Sequence, residues 1–371
     1  MRILRVRMHD WLRNAAMLLD YAGYMACSLF KFKPFPEHIK KILVIELLRV
    51  GDLLAITPSL KALKKKFPQA QIDIVVQPSM KNVLAEDKNV NRIIAYKGNV
   101  SRLVRELKEE GYDLGVLFHP GSLRMSLALL LGKVKYRIGG TPDVGILYGR
   151  GFFLHKKVKP SFRWQHKVDD NLLVVAGIGA QTNDRRMHIS VNKKATVHVK
   201  QMLRKNNVGK YEKVVIVHPG SEYETQRWYP ERFAEVADEL MGKYKKKVVF
   251  TGVESQAKQV TDIINKMKKK PLNFVGKTNM QEYVALVDRA EMVVSVDTSI
   301  IHIASALNKR IVSLFGPTLP ERWGPTSRKG AAIQNKQVCT GCRRYRCLIK
   351  THECMKSITS DQVKKAISSN V

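Results

Sequence analysis

The amino-acid sequence predicts an α/β protein with two domains, each built on a parallel sheet. The length of 371 residues exceeds one typical domain and fits two. Short runs of β-branched residues alternate with stretches of helical periodicity, which is the pattern of β-α-β units. The two halves of the chain repeat this plan, and an apolar content of 44% is enough for a core in each.

In the first half, the apolar runs predict strands and the 3.6-residue spacings predict helices. A turn is expected at residues 49–52, between the first strand and the first helix. The predicted strands are 42–45, 72–76 and 114–118, and the predicted helices are 53–67, 100–110 and 125–131.

The second half opens at residue 214 after an irregular, basic stretch, 149–195, in which one helix is expected near 169–176. Its predicted strands are 214–217, 247–251, 293–296 and 311–315, and its predicted helices are 230–243, 281–289 and one starting near 300. We therefore divide the chain into an N-terminal segment, two domains and a tail, with the bounds 1–38, 39–195, 196–335 and 336–371.

Residues 1–38 combine a basic sequence with one apolar stripe. On a helix, Leu12, Ala15, Leu19 and Ala26 share a face, and charged residues interrupt the apolar run. This pattern favours a helix lying on an anionic membrane surface over one that spans the bilayer. A helix packed on the protein itself is the alternative. A secretory signal peptide is not recognisable, so the sequence predicts a cytoplasmic protein, peripheral on the inner face of the membrane.

The charge balance points to anionic partners. Lys and Arg number 65 against 32 Asp and Glu, a formal net charge of +33. Nucleic acid, an anionic membrane and phosphorylated substrates all fit such a balance. Because the basic residues are dispersed and aromatic residues make up only 8%, we do not expect nucleic acid.

The most informative stretch follows the predicted strand 293–296. Asp297, Thr298 and Ser299 lie where that strand ends and a helix begins, which is where open α/β sheets bind ligands. A helix N-terminus offers unpaired N–H groups to a phosphate. Thr298 and His302 are four residues apart and share a helix face. An ordinary capped helix is the alternative interpretation.

Other strand ends carry similar polar loops. Gly51 and Asp52 follow the first strand, and residues 119–122 follow another strand at the same edge. The second domain has the loop 218–221, and Glu254 follows the strand 247–251. A carboxylate at the end of a strand can accept hydrogen bonds from both hydroxyls of a ribose. The alternative, which fits equally well, is a carboxylate that only marks the start of a helix.

Four cysteines lie within sixteen residues of the tail, and four thiols suffice for a tetrahedral zinc site. The spacing is not a standard zinc pattern, so reactive thiols or loop packing are the alternatives. The candidate ligands are Cys339, Cys342, Cys347 and Cys354.

Several of these motifs, in this order, resemble glycosyltransferase family 9, the ADP-heptose:lipopolysaccharide heptosyltransferases. The resemblance rests on the opening strand with Arg49–Asp52 and Thr57-Pro58, on His218-Pro219-Gly220-Ser221 with Arg227-Trp228, on Asp297-Thr298-Ser299 with His302, on Phe315-Gly316-Pro317-Thr318, and on the tail cysteines. It runs from about residue 40 to the end of the chain.

The resemblance implies a GT-B architecture, in which two Rossmann-like domains face each other across a cleft, and inverting sugar transfer that needs no metal. Asp52 matches the catalytic base. Asp297 matches the residue facing the donor sugar, and Glu254 falls near the ribose-binding acid. The other implied donor-binding residues are Gly220, Ser221, Arg227, Thr298, Ser299, His302, Gly316 and Pro317, and the acceptor contacts are Gly51, Ser122 and Arg124.

The chain departs from the family pattern at three positions. Ser299 replaces the usual glycine, Gln226 stands where a phosphate-contacting lysine is usual, and Tyr229 is inserted before Pro230. Arg227 can supply the missing charge, since a guanidinium binds phosphate with two bonds.

The function implied is transfer of heptose from ADP-heptose to an anionic, lipid-linked saccharide acceptor, without a cofactor and with zinc only as a structural possibility in the tail. A transferase using another nucleotide-sugar, a nucleotide-sugar epimerase and, on charge alone, a nucleic-acid-binding protein are the alternatives.

Overall fold

The computed structural model describes residues 35–36, 38–118, 122–140, 153–158 and 165–369. Nearly all of the predicted N-terminal amphipathic helix, and residues 119–121, lie outside these ranges. The described chain forms two compact units. One contains residues up to 48 together with 56–184, and the other contains 49–55 together with 185–371. The boundary predicted at residues 195 and 196 falls inside a helix of the second unit.

The first unit is a six-stranded sheet in which every strand pair is parallel, with the order β3-β2-β1-β4-β5-β6. Its strands are β1 (Lys41–Ile45), β2 (Gln71–Val76), β3 (Arg92–Ala95), β4 (Leu114–Leu117), β5 (Tyr136–Gly140) and β6 (Lys156–Val158). After β1 the chain forms helix α1 (Val50–Ala55), which belongs to the second unit. The helices of the first unit are α2 (Thr57–Lys66), α3 (Val100–Glu110), α4 (Leu123–Leu131) and α5 (Lys167–Ala176).

The second unit repeats this topology, with the parallel order β12-β11-β10-β7-β8-β9. Its strands are β7 (Val214–His218), β8 (Lys247–Phe250), β9 (Leu272–Asn273), β10 (Met292–Val296), β11 (Arg310–Leu314) and β12 (Gly330–Ile333). Its helices after α1 are α6 (Lys193–Lys205), α7 (Pro230–Gly242), α8 (Ala257–Ile264), α9 (Met280–Arg289), α10 (Ser299–Ala306), α11 (Pro320–Trp323), α12 (Glu353–Lys356) and α13 (Ser360–Ser368).

Both sheets follow the strand order of the doubly wound Rossmann fold, which confirms the predicted fold class. In this order the chain reverses direction across the sheet between the first and fourth strands, and ligands bind at the carboxyl ends of those two strands. In the second unit they are β7 and β10, which pair directly, with Ser295 opposite His218.

Each sheet is covered by its own apolar core. Leu43, Leu107, Tyr112 and Leu129 lie in the core of the first unit. The core of the second unit includes Trp228, Phe233 and Phe250, together with Met355, Ile358 and Ile367 from the tail. Burial of a side chain of this size contributes about 1.5–3 kcal/mol. The end of the tail is therefore an integral layer of the second unit.

One local prediction is wrong. Residues 50–52 are not a turn but the first residues of helix α1, which ends at Ala55 before α2 begins at Thr57. Pro58 accounts for the break, because it has no N–H to donate to a carbonyl of the preceding turn. Gly51 is fully covered in α1, and Asp52 is half-buried in its first turn.

No helix in the described ranges is both long enough and apolar enough to cross a bilayer.

Candidate functional site

The carboxyl ends of β7 and β10 bring two of the predicted loops together in the second unit. The Ser295 hydroxyl, at the end of β10, donates to the carbonyl of His218 at the end of β7, over 3.0 Å. The chain then continues from His218 into Gly220 and Ser221, and from β10 into Asp297 and Thr298. The structure therefore places the loop 218–221 beside the start of α10, as the strand order requires.

A chain of side-chain hydrogen bonds links these loops. The Ser221 hydroxyl donates to Oε1 of Gln226 over 2.6 Å, and Nε2 of Gln226 donates to Oδ2 of Asp297 over 3.2 Å. Gln226 is buried, so its amide cannot exchange these partners for water. Sequence reasoning noted Gln226 only as a departure from the family pattern, and its contact with Asp297 was missed.

Asp297 is half-buried, and this burial raises the pKa of its carboxyl group to about 6. The nearby Thr318 hydroxyl acts against this rise. Gln226, which is neutral, offers a hydrogen bond to the carboxylate without a compensating positive charge. Asp297 is thus a carboxyl group whose protonation changes close to neutral pH, which is common among groups at functional sites.

Helix α10 begins without the expected side-chain cap. In the described part of this loop, Thr298 occupies the N-cap position, but its hydroxyl makes no bond to the first turn of the helix. It lies 3.4 Å from the Ser295 hydroxyl instead. The Ile301 N–H donates to the carbonyl of Thr298 over 3.1 Å, and the N–H groups that precede it in the first turn keep their capacity to bind an anion. Ser299 opens the helix and His302 is buried one turn later.

Helix α1 packs closely against α10, and the contact is made by Gly51. A Cβ atom at Gly51 would lie 2.5 Å from Cδ2 of His302, so only glycine fits there. The His302 ring is also held edge-on by Trp323, with 6.0 Å between ring centroids. Asp52, next to Gly51 in the sequence, is thereby fixed on the helix that touches residues 298–302, the segment that the family resemblance implies binds the donor pyrophosphate.

His218 is a second buried titratable group that sequence reasoning did not select. Its Nδ1 atom lies 3.0 Å from Oη of Tyr283 and 3.0 Å from Oγ1 of Thr251. Burial lowers the pKa of the imidazole to about 4 and raises that of the Tyr283 hydroxyl. His218 is therefore neutral at physiological pH. The sequence feature that could have identified His218 is its position as the last residue of a strand.

The predicted ribose acid, Glu254, is exposed in a short turn after β8. Its carboxylate lies against Gly276, whose φ of 68° favours glycine. The side chain of Gln256, in the same turn, covers both Gly220 and Gly252 at the ends of neighbouring strands. Gly220 is thus close to the turn that carries Glu254, with a flexible glutamine between them.

Arg227 is exposed, and its Nε atom donates to the carbonyl of Ser221 over 3.2 Å. This bond keeps the guanidinium beside the loop 218–221. A second arginine, Arg49, pairs with Glu222 over 2.8 Å and lies 5.6 Å from the centre of the Tyr223 ring. Arg49 precedes α1, and it is a cationic residue of this site that sequence reasoning did not assign.

Gly316 and Pro317 contact the tail. A Cβ atom at Gly316 would lie 2.6 Å from Sδ of Met355, and the carbonyl of Pro317 accepts a hydrogen bond from the Arg343 N–H over 2.9 Å. Trp228 has a similar structural role, because its indole N–H donates to the carbonyl of Ile358. These contacts explain why the chain needs a glycine and a tryptophan at these positions.

The predicted acceptor residues Ser122 and Arg124 lie in the first unit, at the start of α4. The Ser122 hydroxyl caps that helix by accepting from the N–H of Met125 over 3.3 Å, and Arg124 is exposed. The second unit contains Gly51, so the structure does not group the three predicted acceptor residues in one unit.

The four candidate metal ligands of the tail are cysteines that differ in exposure. Cys339, Cys342, Cys347 and Cys354 are all thiols. Across the described ranges, no group of three or more His, Cys, Asp or Glu side chains is arranged to hold a metal ion. Burial, reinforced by repulsion from the other three cysteines in their ionised form, raises the pKa of Cys354 to about 11.

Comparison of the sequence with known proteins identifies a family and several relatives of this chain. The family model described as glycosyltransferase family 9 (heptosyltransferase) matches residues 100–352. Lipopolysaccharide heptosyltransferase 3 of Escherichia coli strain K12 is 27% identical over 293 residues, which cover 74% of this chain and 82% of that protein.

Two solved structures have a similar fold. The glycosyltransferase family 9 protein from Veillonella parvula DSM 2008 has a TM-score of 0.78 at 22% identity, over 90% of this chain and 97% of that one. Escherichia coli heptosyltransferase WaaC with ADP-2-deoxy-2-fluoro heptose has a TM-score of 0.67 at 15% identity, over 89% of this chain and 100% of that one.

Proposed function

The chain belongs to glycosyltransferase family 9 (heptosyltransferase), and we propose that it moves a heptose from ADP-heptose to a lipopolysaccharide core acceptor. The acceptor is a lipid A-linked saccharide, either its Kdo residue or an inner-core heptose. The observation that carries the proposal is the packing of α1 on α10 through Gly51 and His302. It joins the candidate base, Asp52, to the candidate pyrophosphate segment within one unit.

The proposed donor site is built around the start of α10. The unpaired N–H groups of its first turn and the Arg227 guanidinium face the developing negative charge of the departing ADP. Thr298, Ser299 and His302 contact the diphosphate, and Asp297 faces the sugar. Support for the donor comes from the fold shared with WaaC, which is described with an ADP-heptose analogue.

The remaining donor contacts lie on neighbouring loops. Gly220 and Ser221 approach the nucleotide after the Gln256 side chain moves aside, and Glu254 accepts the ribose hydroxyls. Gly316 and Pro317 border the same region from the end of β11.

The reaction proposed is a single displacement. The Asp52 carboxylate takes the proton of the acceptor hydroxyl while that oxygen forms a bond to the anomeric carbon. The bond from the anomeric carbon to the diphosphate oxygen breaks, and ADP leaves with the electron pair. Because attack occurs opposite the leaving group, the anomeric configuration inverts. The charges that stabilise ADP come from the protein, so no metal ion is required. The acceptor contacts are Gly51, Ser122 and Arg124.

The chain's charge of +33 supports an anionic, membrane-bound acceptor, and we place the enzyme on the cytoplasmic face of the inner membrane. Purified protein is incubated with a truncated lipopolysaccharide acceptor and a panel of ADP-, UDP- and GDP-sugars, with and without a chelator. Mass spectrometry identifies the product, and NMR gives its anomeric configuration. Transfer only from a donor other than ADP-heptose would contradict the donor assignment, and donor conversion without acceptor would indicate an epimerase.

Asp52→Asn tests the base. We expect kcat to fall by about 10²–10⁴, while the Kd for ADP changes little because the substitution lies outside the diphosphate contacts. Asp361→Asn is the matched control, since Asp361 is 91% exposed on α13. Near-normal transfer by the Asp52→Asn protein would refute the role given to this carboxylate.

A further inference from the structure

Residues 336–350, which we name the tail loop, present an unusual surface. The segment contains five Lys or Arg residues and no Asp or Glu. All five basic residues are exposed, and so are four large apolar residues that alternate with them. The basic residues are Lys336, Arg343, Arg344, Arg346 and Lys350, and the apolar residues are Val338, Tyr345, Leu348 and Ile349.

The backbone of the tail loop is tied to the second unit. The Arg343 N–H donates to the carbonyl of Pro317 over 2.9 Å, and the Thr225 hydroxyl donates to the carbonyl of Arg344 over 2.6 Å. The Tyr345 ring lies 5.0 Å from the Tyr223 ring, centroid to centroid. Because the main chain is held inward, the side chains of the loop are presented outward together.

Leu348 and Ile349 are 69% and 60% exposed, and they lie directly beside Lys350. Adjacent aliphatic side chains in water are unfavourable, and a contiguous apolar patch commonly marks an interaction site. Aliphatic side chains cannot stack on nucleic-acid bases as aromatic ones do. Arginines interleaved with aliphatic and tyrosine side chains match a bilayer interface, where phosphates lie above acyl chains.

We propose that the tail loop is a membrane-docking surface that binds bilayers containing anionic lipids. Arg343, Arg344 and Arg346 contact the lipid phosphates, while Leu348 and Ile349 enter the boundary between headgroups and acyl chains. The tail loop does not include residues 1–38, the predicted membrane-surface segment. Because the loop is bonded to Pro317 and Thr225, which adjoin the candidate donor site, docking would hold the second unit's site close to the bilayer.

The test measures binding of the full-length, reduced protein to lipid vesicles by co-sedimentation, so it does not depend on catalysis. Vesicles of phosphatidylcholine alone are compared with vesicles that also contain phosphatidylglycerol, at low and high salt. One variant carries R343Q, R344Q and R346Q, and another carries L348S and I349S.

The arginine variant should bind anionic vesicles at least about tenfold more weakly at low salt, because each basic residue near an anionic surface contributes about fivefold. In the wild-type protein, part of the vesicle binding should persist at high salt, because salt does not screen the burial of apolar groups. The Leu348/Ile349 variant should lose this part of the binding.

A matched control removes the same number of positive charges, together with one aliphatic side chain, from the exposed face of α6. It carries K193Q, K200Q, R204Q and V197S, and these side chains are all exposed. We expect its vesicle binding to stay within about twofold of the wild-type protein, since scattered exposed charges contribute little. Thermal melting and ADP binding are measured for every variant to verify folding.

Two results would overturn the proposal. The first is that both tail-loop variants bind vesicles as strongly as the α6 control does. The other is an equal loss of binding to single-stranded RNA and to anionic vesicles, which would identify a general polyanion surface.

Discussion

The side-chain amide of Gln226 donates a hydrogen bond of 3.2 Å to Oδ2 of Asp297, across 71 residues of sequence. Gln226 also accepts from Ser221, so a neutral amide joins the loop after β7 to the start of α10. A lysine at this position would bring a positive charge to the same carboxylate. The identity of residue 226 therefore sets the charge of the proposed donor site.

Gln226→Lys should strengthen ADP binding by about fivefold, because a cation beside a diphosphate forms charge-assisted hydrogen bonds. The same change should lower the pKa of Asp297 from about 6, since a nearby positive charge favours the carboxylate. Isothermal titration calorimetry across pH measures both effects. Gln226→Glu is the opposite-charge control and should weaken ADP binding; equal affinities for the two variants would contradict this account.

Asp297→Asn should stabilise the donor-free protein at neutral pH. The folded-state pKa of about 6 lies above the ordinary value of 3.8, so the native state binds the proton more tightly than the unfolded chain. The free energy of unfolding of the wild-type protein therefore falls as pH rises from about 4 to 6, and it stays lower above that range. The variant should exceed the wild type by about 2 kcal/mol at neutral pH, and by little near pH 4. Urea unfolding at several pH values measures the difference, and an advantage independent of pH would count against it.

His218 should destabilise the fold in acid. Its folded-state pKa of about 4 lies below the ordinary 6.5, so the native state binds fewer protons, and stability present above pH 6.5 is lost as pH falls toward 4. The loss is about 3 kcal/mol. His218→Asn keeps an acceptor for Tyr283 but does not titrate, so its unfolding free energy should fall less over this range.

The control for this experiment is His188→Asn, because His188 is exposed. Its pH dependence in urea unfolding should match that of the wild type. If the unfolding free energy of the His218 variant changed with pH just as that of the wild type does, another group would cause the acid sensitivity.

The strands with long β-branched runs could be predicted from the sequence because their apolar residues are buried on both faces. Strands β5 and β12 could not. The first ends in two glycines, and the second contains Gly-Ala-Ala, so neither has the side chains that mark a strand. Pairing with neighbouring strands, not local propensity, forms them.

The position of Asp297 and Thr298, between the end of a strand and the start of a helix, could be predicted because one continuous segment determines it. Contacts between distant segments could not. The closeness of α1 to α10 depends on the missing Cβ of Gly51, and its helical geometry is supported by packing against His302. Glycine disfavours a helix and favours a turn, and the segment has only six residues. The local sequence therefore predicted a turn at residues 49–52 and not a helix.

Gly51→Ala should destabilise the second unit by about 1–3 kcal/mol, because its Cβ would lie 2.5 Å from the His302 ring and the helices would have to separate. The same separation should lower kcat, since it moves Asp52. Gly242→Ala is the matched control: its nearest neighbour is Cε of Lys269, at 3.3 Å on a flexible side chain. Thermal melting should show a lower Tm for the first variant only. A Gly51→Ala protein with unchanged Tm would show that α1 and α10 do not pack this closely.

The tail cysteines should differ in reactivity. Cys342 is exposed, whereas Cys354 is 8% exposed and has a pKa of about 11. Only about one in a thousand Cys354 side chains is a thiolate at pH 8, and the thiolate is the reactive form. Iodoacetamide should therefore modify Cys342 at least about tenfold faster than Cys354, as measured by peptide mass spectrometry over time. In urea the two rates should converge, because the difference arises from folding. Equal protection of all four tail cysteines, released together by a chelator, would instead reveal a bound metal ion and a tail arranged differently from the one described.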